Sequence, residues 1–158
     1  MNLEIRFATS DDVPLILHFI QELAKYEKLS HEVIATEEIL RTNLFGDKKY
    51  VEVLLGYVDN KAVSFALFFH NFSTFLGKPG IYLEDLYVVE DMRGQGIAKK
   101  MLSFLAKLTL DRDCGRLEWS VLDWNTSAIN FYKSIGAKPM DEWTVHRVTG
   151  QELYELSE

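Results

Sequence analysis

The residues best suited to chemistry lie between positions 80 and 99, and the clearest of them form a glycine-rich turn. Residues 93–98, RGQGIA, separate an apolar segment from one with helical periodicity. Glycines allow a tight turn with exposed N–H groups, and a helix that begins there adds unpaired donors and partial positive charge. The turn predicts an anion site suited to a pyrophosphate. It lacks both the G-x-G-x-x-G spacing and the Gly-Lys-Ser/Thr of phosphate loops, and by itself it is equally compatible with a purely structural turn.

Two adjacent carboxylates, Glu84 and Asp85, interrupt the apolar run of residues 81–89. Because neighbouring strand residues point to opposite faces, we expect them not to act side by side. A charge in a buried strand is costly unless it is paired or its pKa shifts, so these residues suggest a functional role. The alternative is that each forms an ion pair with a nearby Lys or Arg.

The pattern of the chain predicts an α/β protein whose mixed sheet has helices on both faces. Helices are expected to begin near residues 9–12, 36, 97 and 125, and the last of these to end near Gly136. Strands are predicted at residues 3–7, 50–58, 61–71, 80–90, 117–122 and 143–148.

The R-x-x-G-x-A pattern of Arg93, Gly96 and Ala98 resembles the acetyl-CoA signature of the GNAT N-acetyltransferase superfamily, and the order of elements matches along essentially the whole chain. The similarity is greatest to the diamine (spermidine/spermine and thialysine) acetyltransferases. It is carried by ELAKYE at 22–27, YLEDLYV at 82–88 and NFYK at 130–133, while FSTF at 72–75 and VLDWN at 121–125 resemble the thialysine branch.

The resemblance implies a single domain over residues 1–158, with a mostly antiparallel sheet split by a CoA-binding cleft. It implies acetyl-CoA as co-substrate and no metal. The residues it assigns to the cofactor are Leu86, Tyr87, Val88, Arg93, Gly94, Gln95, Gly96, Ile97, Ala98, Lys99, Asn125, Thr126, Ser127 and Ala128.

The expected reaction transfers an acetyl group to a primary amine, which must first lose a proton because its pKa is about 10.4. By resemblance Glu84 is the base or orients the ammonium, and Tyr132 is the general acid for the leaving thiolate. Helical spacing alone places Tyr132 on an apolar stripe with Ala128, Phe131 and Ile135, as in a core residue.

The resemblance also assigns an amine site. Its residues are Tyr26, Glu27, Ser73, Glu84, Asp85, Glu118, Trp119, Ser120 and Glu142. Ser73 stands where spermidine-type enzymes carry an acidic residue, which favours a shorter amine of the thialysine or lysine type over a long polyamine. A solvated acidic face is the alternative explanation of Glu27 and Glu142.

Composition limits the remaining possibilities. The net charge of −7 argues against nucleic-acid binding, and the longest apolar stretch is too short for a membrane helix. The four histidines show no metal-ligand spacing, and Cys114 is the only cysteine. We expect a cytoplasmic homodimer that acts on a small-molecule amine. A peptide acetyltransferase and a non-catalytic acyl-CoA-binding module are the competing hypotheses.

Overall fold

The computed structural model describes all 158 residues, which divide into two compact units, Met1–Ser120 and Val121–Glu158. The first contains β1 (Leu3–Phe7), α1 (Val13–Tyr26), α2 (Glu37–Phe45), β2 (Glu52–Val58), β3 (Lys61–Ser73), β4 (Lys78–Val88), α3 (Ile97–Asp111) and β5 (Leu117–Trp119). The second contains α4 (Thr126–Ser134) and α5 (Gly150–Leu156). The α/β class is confirmed, while a single domain over residues 1–158 stays a prediction.

The first unit is built on a five-stranded sheet in the order β1-β2-β3-β4-β5. Neighbouring strands are antiparallel except for β4 and β5, which are parallel. The β2–β3 hairpin turns at Asp59 and Asn60, both with positive φ, as the two-residue Asp-Asn signal predicted. The sheet is therefore mostly antiparallel, as expected.

Helices cover both faces of this sheet. On one face, here called the α1 face, Ile16 and Phe19 of α1 form a buried cluster with Phe65, Leu67 and Tyr87. The ring of Phe19 stacks on that of Phe65 with centroids 5.5 Å apart. Because cross-strand partners share a face, the register of β3 and β4 identifies which residues belong to this side of the sheet.

The opposite face, here called the α3 face, packs against α3. Ile97, Met101 and Leu105 of α3 are fully buried at helical spacing, as their stripe predicted. The Met101 sulfur approaches so closely that a Cβ on Gly56 would lie 3.3 Å from it. The strand and the helix therefore lie in close contact at Gly56, where a larger residue would require its neighbours to shift slightly.

An ion pair joins β1 to the start of α1. The guanidinium of Arg6 donates to both oxygens of Asp12, at 2.8 and 2.9 Å, and the Thr9 N–H donates to the same carboxylate at 2.8 Å. Hydrogen bonding to Arg6 is the main reason why the pKa of Asp12 is lowered. The carboxylate thereby satisfies a backbone donor that would be left unpaired as the chain enters the helix.

The C-terminal prediction is wrong in one respect. Residues 143–146 alternate apolar and polar side chains, yet residues 143–148 form no strand, and a helix at Gly150–Leu156 follows that was not predicted. Trp143 and Val145 are 75% and 82% exposed. Alternation indicates which side chains share a face, but it does not supply the neighbouring strand that a ladder requires.

Two absences complete the description. None of the helices is long and apolar enough to cross a membrane. No group of three or more His, Cys, Asp or Glu side chains is arranged to hold a metal ion.

The Arg6–Asp12 pair leads to a first prediction. Replacing Asp12→Asn should lower the free energy of unfolding by about 1–2 kcal/mol at neutral pH. The pKa of Asp12 is lowered in the folded state, so its contribution is present above the unfolded-state value of about 4 and is lost as pH falls through the folded-state value. Urea denaturation at several pH values measures this, with Asp11→Asn, an exposed neighbour, as the control that should change little.

Candidate active site

Strand β4 contains a β-bulge at Glu84. Leu67 of β3 pairs with Asp85 and the next residue, Phe68, pairs with Leu83, so Glu84 is an extra residue. Asp85 therefore shares the α1 face with Leu67, whereas Leu83 shares the α3 face with Phe68. Glu84 stands between them as the exposed extra residue of the bulge, with no partner on β3, so the register does not assign it to either face. The expectation that the two carboxylates do not act side by side stays a prediction.

The same region of β4 lacks a strand neighbour on one side. Pairing with β5 covers only three residues and ends at Leu83, opposite Trp119. Beyond that point, residues 85–88 pair with β3 alone, and Glu84 has no strand partner. Alternate N–H and C=O groups of this stretch point to the side without a strand, where they can bind a ligand. Leu86, Tyr87 and Val88, which were assigned to the acetyl and pantetheine portion of the cofactor, lie in this open stretch.

The charges of two carboxylates act on Asp85 beside the bulge. Burial is the main cause that raises the pKa of the half-buried Asp85 to about 7, and the charges of Glu84 and Glu27 raise it further. Burial also raises the pKa of Glu27, which directly follows α1. A nearby negative charge makes ionisation of Asp85 harder, and an ammonium group placed there would relieve this repulsion. The site therefore suits a cation.

The glycine turn leads into α3 as predicted. Gly94 and Gly96 have φ values of 76° and 80°, in the left-handed region that other residues rarely adopt. Helix α3 begins at Ile97, and no side chain caps its first turn. The unpaired N–H groups of that turn and the helix dipole make residues 94–99, which include Gln95, Ala98 and Lys99, suitable for a pyrophosphate.

The side chain of Arg93 points to protein groups. Its Cζ lies 4.7 Å from the centre of the Tyr26 ring and 5.4 Å from that of Tyr87. Its Nε donates a hydrogen bond of 3.0 Å to the carbonyl of Val88. Sequence reasoning assigned Arg93 to the cofactor and did not foresee these contacts.

Further along the α1 face, Glu118 of β5 is held by two neighbours. It accepts a hydrogen bond of 3.0 Å from the Asn71 amide and lies 2.8 Å from Nε of Arg116. The Ser120 hydroxyl lies 2.6 Å from the Tyr82 hydroxyl. Trp119, which stands between Glu118 and Ser120 in the sequence, is half-buried. Sequence reasoning missed Asn71 and Tyr82, although Tyr82 stands two residues before Glu84 in the segment that carried the resemblance.

Ser73 lies far from the carboxylates. It is buried at the end of β3, and its hydroxyl accepts a hydrogen bond from the Leu76 N–H within the β3–β4 turn. It pairs with Lys78, six residues before Glu84, which corresponds to about 20 Å along the strand. The structure does not bring Ser73 together with the other residues predicted to bind the amine.

The second unit holds the other predicted residues. The Asn125 side chain caps α4 by accepting from the Ala128 N–H at 3.3 Å, as predicted, and Thr126 and Ser127 form the exposed start of that helix. Tyr132 is half-buried with its ring 5.5 Å from that of Phe131. Glu142 is exposed. The half-buried residues of α4 include the predicted stripe of Ala128, Phe131 and Tyr132.

The carboxylates beside the bulge predict an unusual pH dependence. Between about pH 4 and pH 7 the folded protein retains a proton on Asp85 that the unfolded chain has lost, so its contribution to stability falls as pH rises. An Asp85→Asn variant has no titrating carboxyl at this position, so it does not show this fall of stability with rising pH. We expect the stability of the variant relative to the native protein to rise by about 2–3 kcal/mol between about pH 5 and pH 8.

Urea denaturation at several pH values measures that difference. The Asp12→Asn variant serves as a control, because the lowered pKa of Asp12 places its titration below about pH 4, so its difference from the native protein should stay constant between about pH 5 and pH 8. A pH-independent difference between native protein and Asp85→Asn would contradict the prediction.

Comparison with known proteins identifies the family of the chain. The model of the acetyltransferase (GNAT) family matches residues 17–137. Thialysine N-epsilon-acetyltransferase of Bos taurus is 38% identical over 97% of this chain and 96% of that protein. L-ornithine N5-acetyltransferase of Arabidopsis thaliana is 31% identical over 96% of this chain and 86% of that protein.

A solved structure agrees along the whole length. An integron cassette protein from the mobile metagenome of V. cholerae superimposes with a TM-score of 0.83 at 29% identity, covering 100% of this chain and 99% of its own. The family match includes the open stretch of β4, the glycine turn and most of α4. The chain therefore belongs to the GNAT family of acetyltransferases.

Proposed function

We propose that the protein transfers the acetyl group of acetyl-CoA to the primary amine of a small diamine or lysine-like amino acid. The observation that carries this proposal is the group of three carboxylates, Glu27, Glu84 and Asp85, beside the open stretch of β4. Such a group attracts a cationic amine and repels anions. Two relatives are named as acetyltransferases of thialysine and of ornithine, and this supports the same class of substrate.

GNAT acetyltransferases use acetyl-CoA as co-substrate, and this chain has groups suited to both ends of it. The N–H groups at residues 94–99 would bind the pyrophosphate, with Asn125 and the start of α4 contributing as the resemblance implies. N–H groups at residues 86–88 would bind the thioester carbonyl. As the amine attacks, that oxygen gains negative charge, and donors fixed in advance stabilise it.

The amine must be neutral when it attacks. Glu84 is assigned as the group that takes the proton of the ammonium or orients it, since the bulge places its carboxylate beside the open stretch of β4. The neutral amine nitrogen then bonds to the carbonyl carbon, the bond between carbon and sulfur breaks as the tetrahedral intermediate collapses, and the nitrogen releases its second proton to the solvent. The products are the N-acetyl amine and the CoA thiolate.

Tyr132 is assigned as the acid that protonates this thiolate. A phenol with a pKa of about 10 can donate to a thiolate as its negative charge develops. Two features support the assignment: the NFYK segment that resembles the diamine acetyltransferases, and the half-buried position of Tyr132 on α4. Without an acid the thiolate is a poorer leaving group, and the tetrahedral intermediate returns to reactants more often.

A short amine is favoured over a long polyamine. Tyr26, Glu27, Asp85 and the polar end of β5 would hold the second polar end of the substrate. Ser73 is buried, engaged in its turn and about 20 Å from Glu84 along the strand, so it takes no part in this site. The preference for a short amine is supported by the relatives named for thialysine and ornithine. Glu142 is exposed and acidic, as expected of a group that attracts cations at long range.

The protein is further proposed to be a cytoplasmic homodimer, as the resemblance implies. The second unit exposes Trp143, Val145 and Leu153 by 75%, 82% and 54%. Apolar side chains of this size in one short stretch commonly mark an interaction surface. Light scattering coupled to size-exclusion chromatography should give twice the chain mass, and Val145→Glu should yield the monomer. A native monomer would contradict this proposal.

The proposed reaction is tested by following CoA release from acetyl-CoA with thialysine, lysine, ornithine, putrescine, spermidine and a lysine-containing peptide. We expect one of the short amines to give the highest kcat/KM. Glu84→Gln and Tyr132→Phe should each lower kcat by about 100-fold, the usual size of acid–base contributions. Glu4→Gln and Tyr154→Phe, two exposed residues outside the site, are matched controls that should retain native rates.

The same panel separates the alternatives. A preference for spermidine would contradict the proposal of a short amine, and a preference for the peptide would favour a protein acetyltransferase. Binding of acetyl-CoA without turnover on any amine would favour a non-catalytic acyl-CoA-binding module.

A further inference from the structure

The side chain of Arg93 makes three contacts with the protein, and they join three elements. Its guanidinium lies 4.7 Å from the ring centre of Tyr26, the last residue of α1, and 5.4 Å from that of Tyr87 on β4. Its Nε donates to the carbonyl of Val88, the last residue of β4. Arg93 itself directly precedes the glycine turn. One side chain therefore ties the end of α1 to the open stretch of β4 at the entry to α3.

The end of α1 is held by backbone hydrogen bonds and by this side chain. Lys28, with a φ of 63°, adopts the left-handed conformation common just after a helix, and the N–H groups of Lys28 and Leu29 bond back to carbonyls of α1. Glu27 is partly buried, and burial raises the pKa of its carboxyl, so its charged form is less stable here than in water. Tyr26 is 40% exposed, so burial alone does not fix it. Contact with Arg93 adds a side-chain restraint that keeps this end of the helix near β4.

We propose that Arg93 is a positioning residue for the amine substrate, which holds Tyr26 and Glu27 against β4 so that the Glu27 carboxylate faces Asp85. This inference rests on the proposed function, because its test measures the KM of the amine substrate. It differs from the assignment of Arg93 as a ligand of the pyrophosphate, in which the side chain would act on acetyl-CoA alone.

The arginine is suited to this role in a way that lysine is not. A guanidinium is planar, stacks on aromatic rings and keeps an N–H free to donate, whereas an ammonium is a compact and strongly hydrated charge. Two rings and one carbonyl surround the group in this structure. The geometry of the side chain, rather than its charge alone, therefore positions the end of α1.

A double-mutant cycle tests the proposal. Native protein, Arg93→Ala, Tyr26→Leu and the double variant are compared for amine KM and kcat at saturating acetyl-CoA, so that weaker cofactor binding does not enter. Arg93→Ala should raise the amine KM by about tenfold and change kcat by less than about threefold. In the Tyr26→Leu background the same change should have little further effect, because the contact is already absent.

Two further variants sharpen the comparison. Arg93→Lys should behave like Arg93→Ala, since lysine keeps the charge but loses the stacking group. Arg6→Ala is the matched control. Arg6 belongs to β1, and its guanidinium also lies over a tyrosine, 5.0 Å from the ring centre of Tyr57. It should lower stability and leave the amine KM unchanged.

Amide hydrogen exchange gives a readout that needs no turnover. Arg93→Ala should speed exchange at the end of α1, where the N–H groups of Glu27 and Leu29 bond to Leu23 and Ala24. Arg6→Ala should not. Unchanged exchange in Arg93→Ala, an additive cycle, or recovery of the amine KM by Arg93→Lys would each overturn the inference. Absence of turnover by the native protein would contradict the proposed function instead, and exchange would still decide the role of Arg93.

Discussion

Strand β4 has a neighbour on both sides only as far as Leu83, and the site depends on that limit. A strand inside a sheet normally uses all its N–H and C=O groups in ladders. Beyond the end of β5, some N–H and C=O groups of β4 have no strand partner and are available to a ligand. The bulge at Glu84 occurs at this same point, directly before Asp85, which lies on the α1 face. Backbone donors for a carbonyl and carboxylates for an ammonium are thereby brought together on one strand.

Local signals in the sequence were sufficient for much of this arrangement. Four features depend on residues close together in the chain, and each is confirmed. They are the glycine turn, the stripe of α3, the Asp59-Asn60 hairpin and the Asn125 cap. The resemblance, carried by segments such as YLEDLYV, then identified the family. Signals of this kind work because propensity, capping and turn geometry act over a few residues.

Features that depend on distant residues were not predictable in the same way. The bulge is a property of the register between β3 and β4, so the apolar run of residues 81–89 alone suggested a regular strand. The raised pKa of Asp85 comes mainly from burial, and the charge of Glu27, 58 positions away in sequence (85 − 27), adds to it. Residues 143–146 had the alternation of a strand without a neighbour to pair with. Pattern specifies what a segment can form, and tertiary structure decides whether it does.

The raised pKa of Asp85 has one more consequence, which is proton release when the amine binds. With a pKa of about 7, Asp85 is protonated in about half of the molecules at neutral pH. An ammonium bound beside it favours the ionised form, so part of the population releases a proton to the solvent when the amine arrives. In the proposed site, substrate affinity is therefore coupled to the acidity of the surroundings. A protein of this kind would bind its amine more weakly in an acidified cell than in a neutral one.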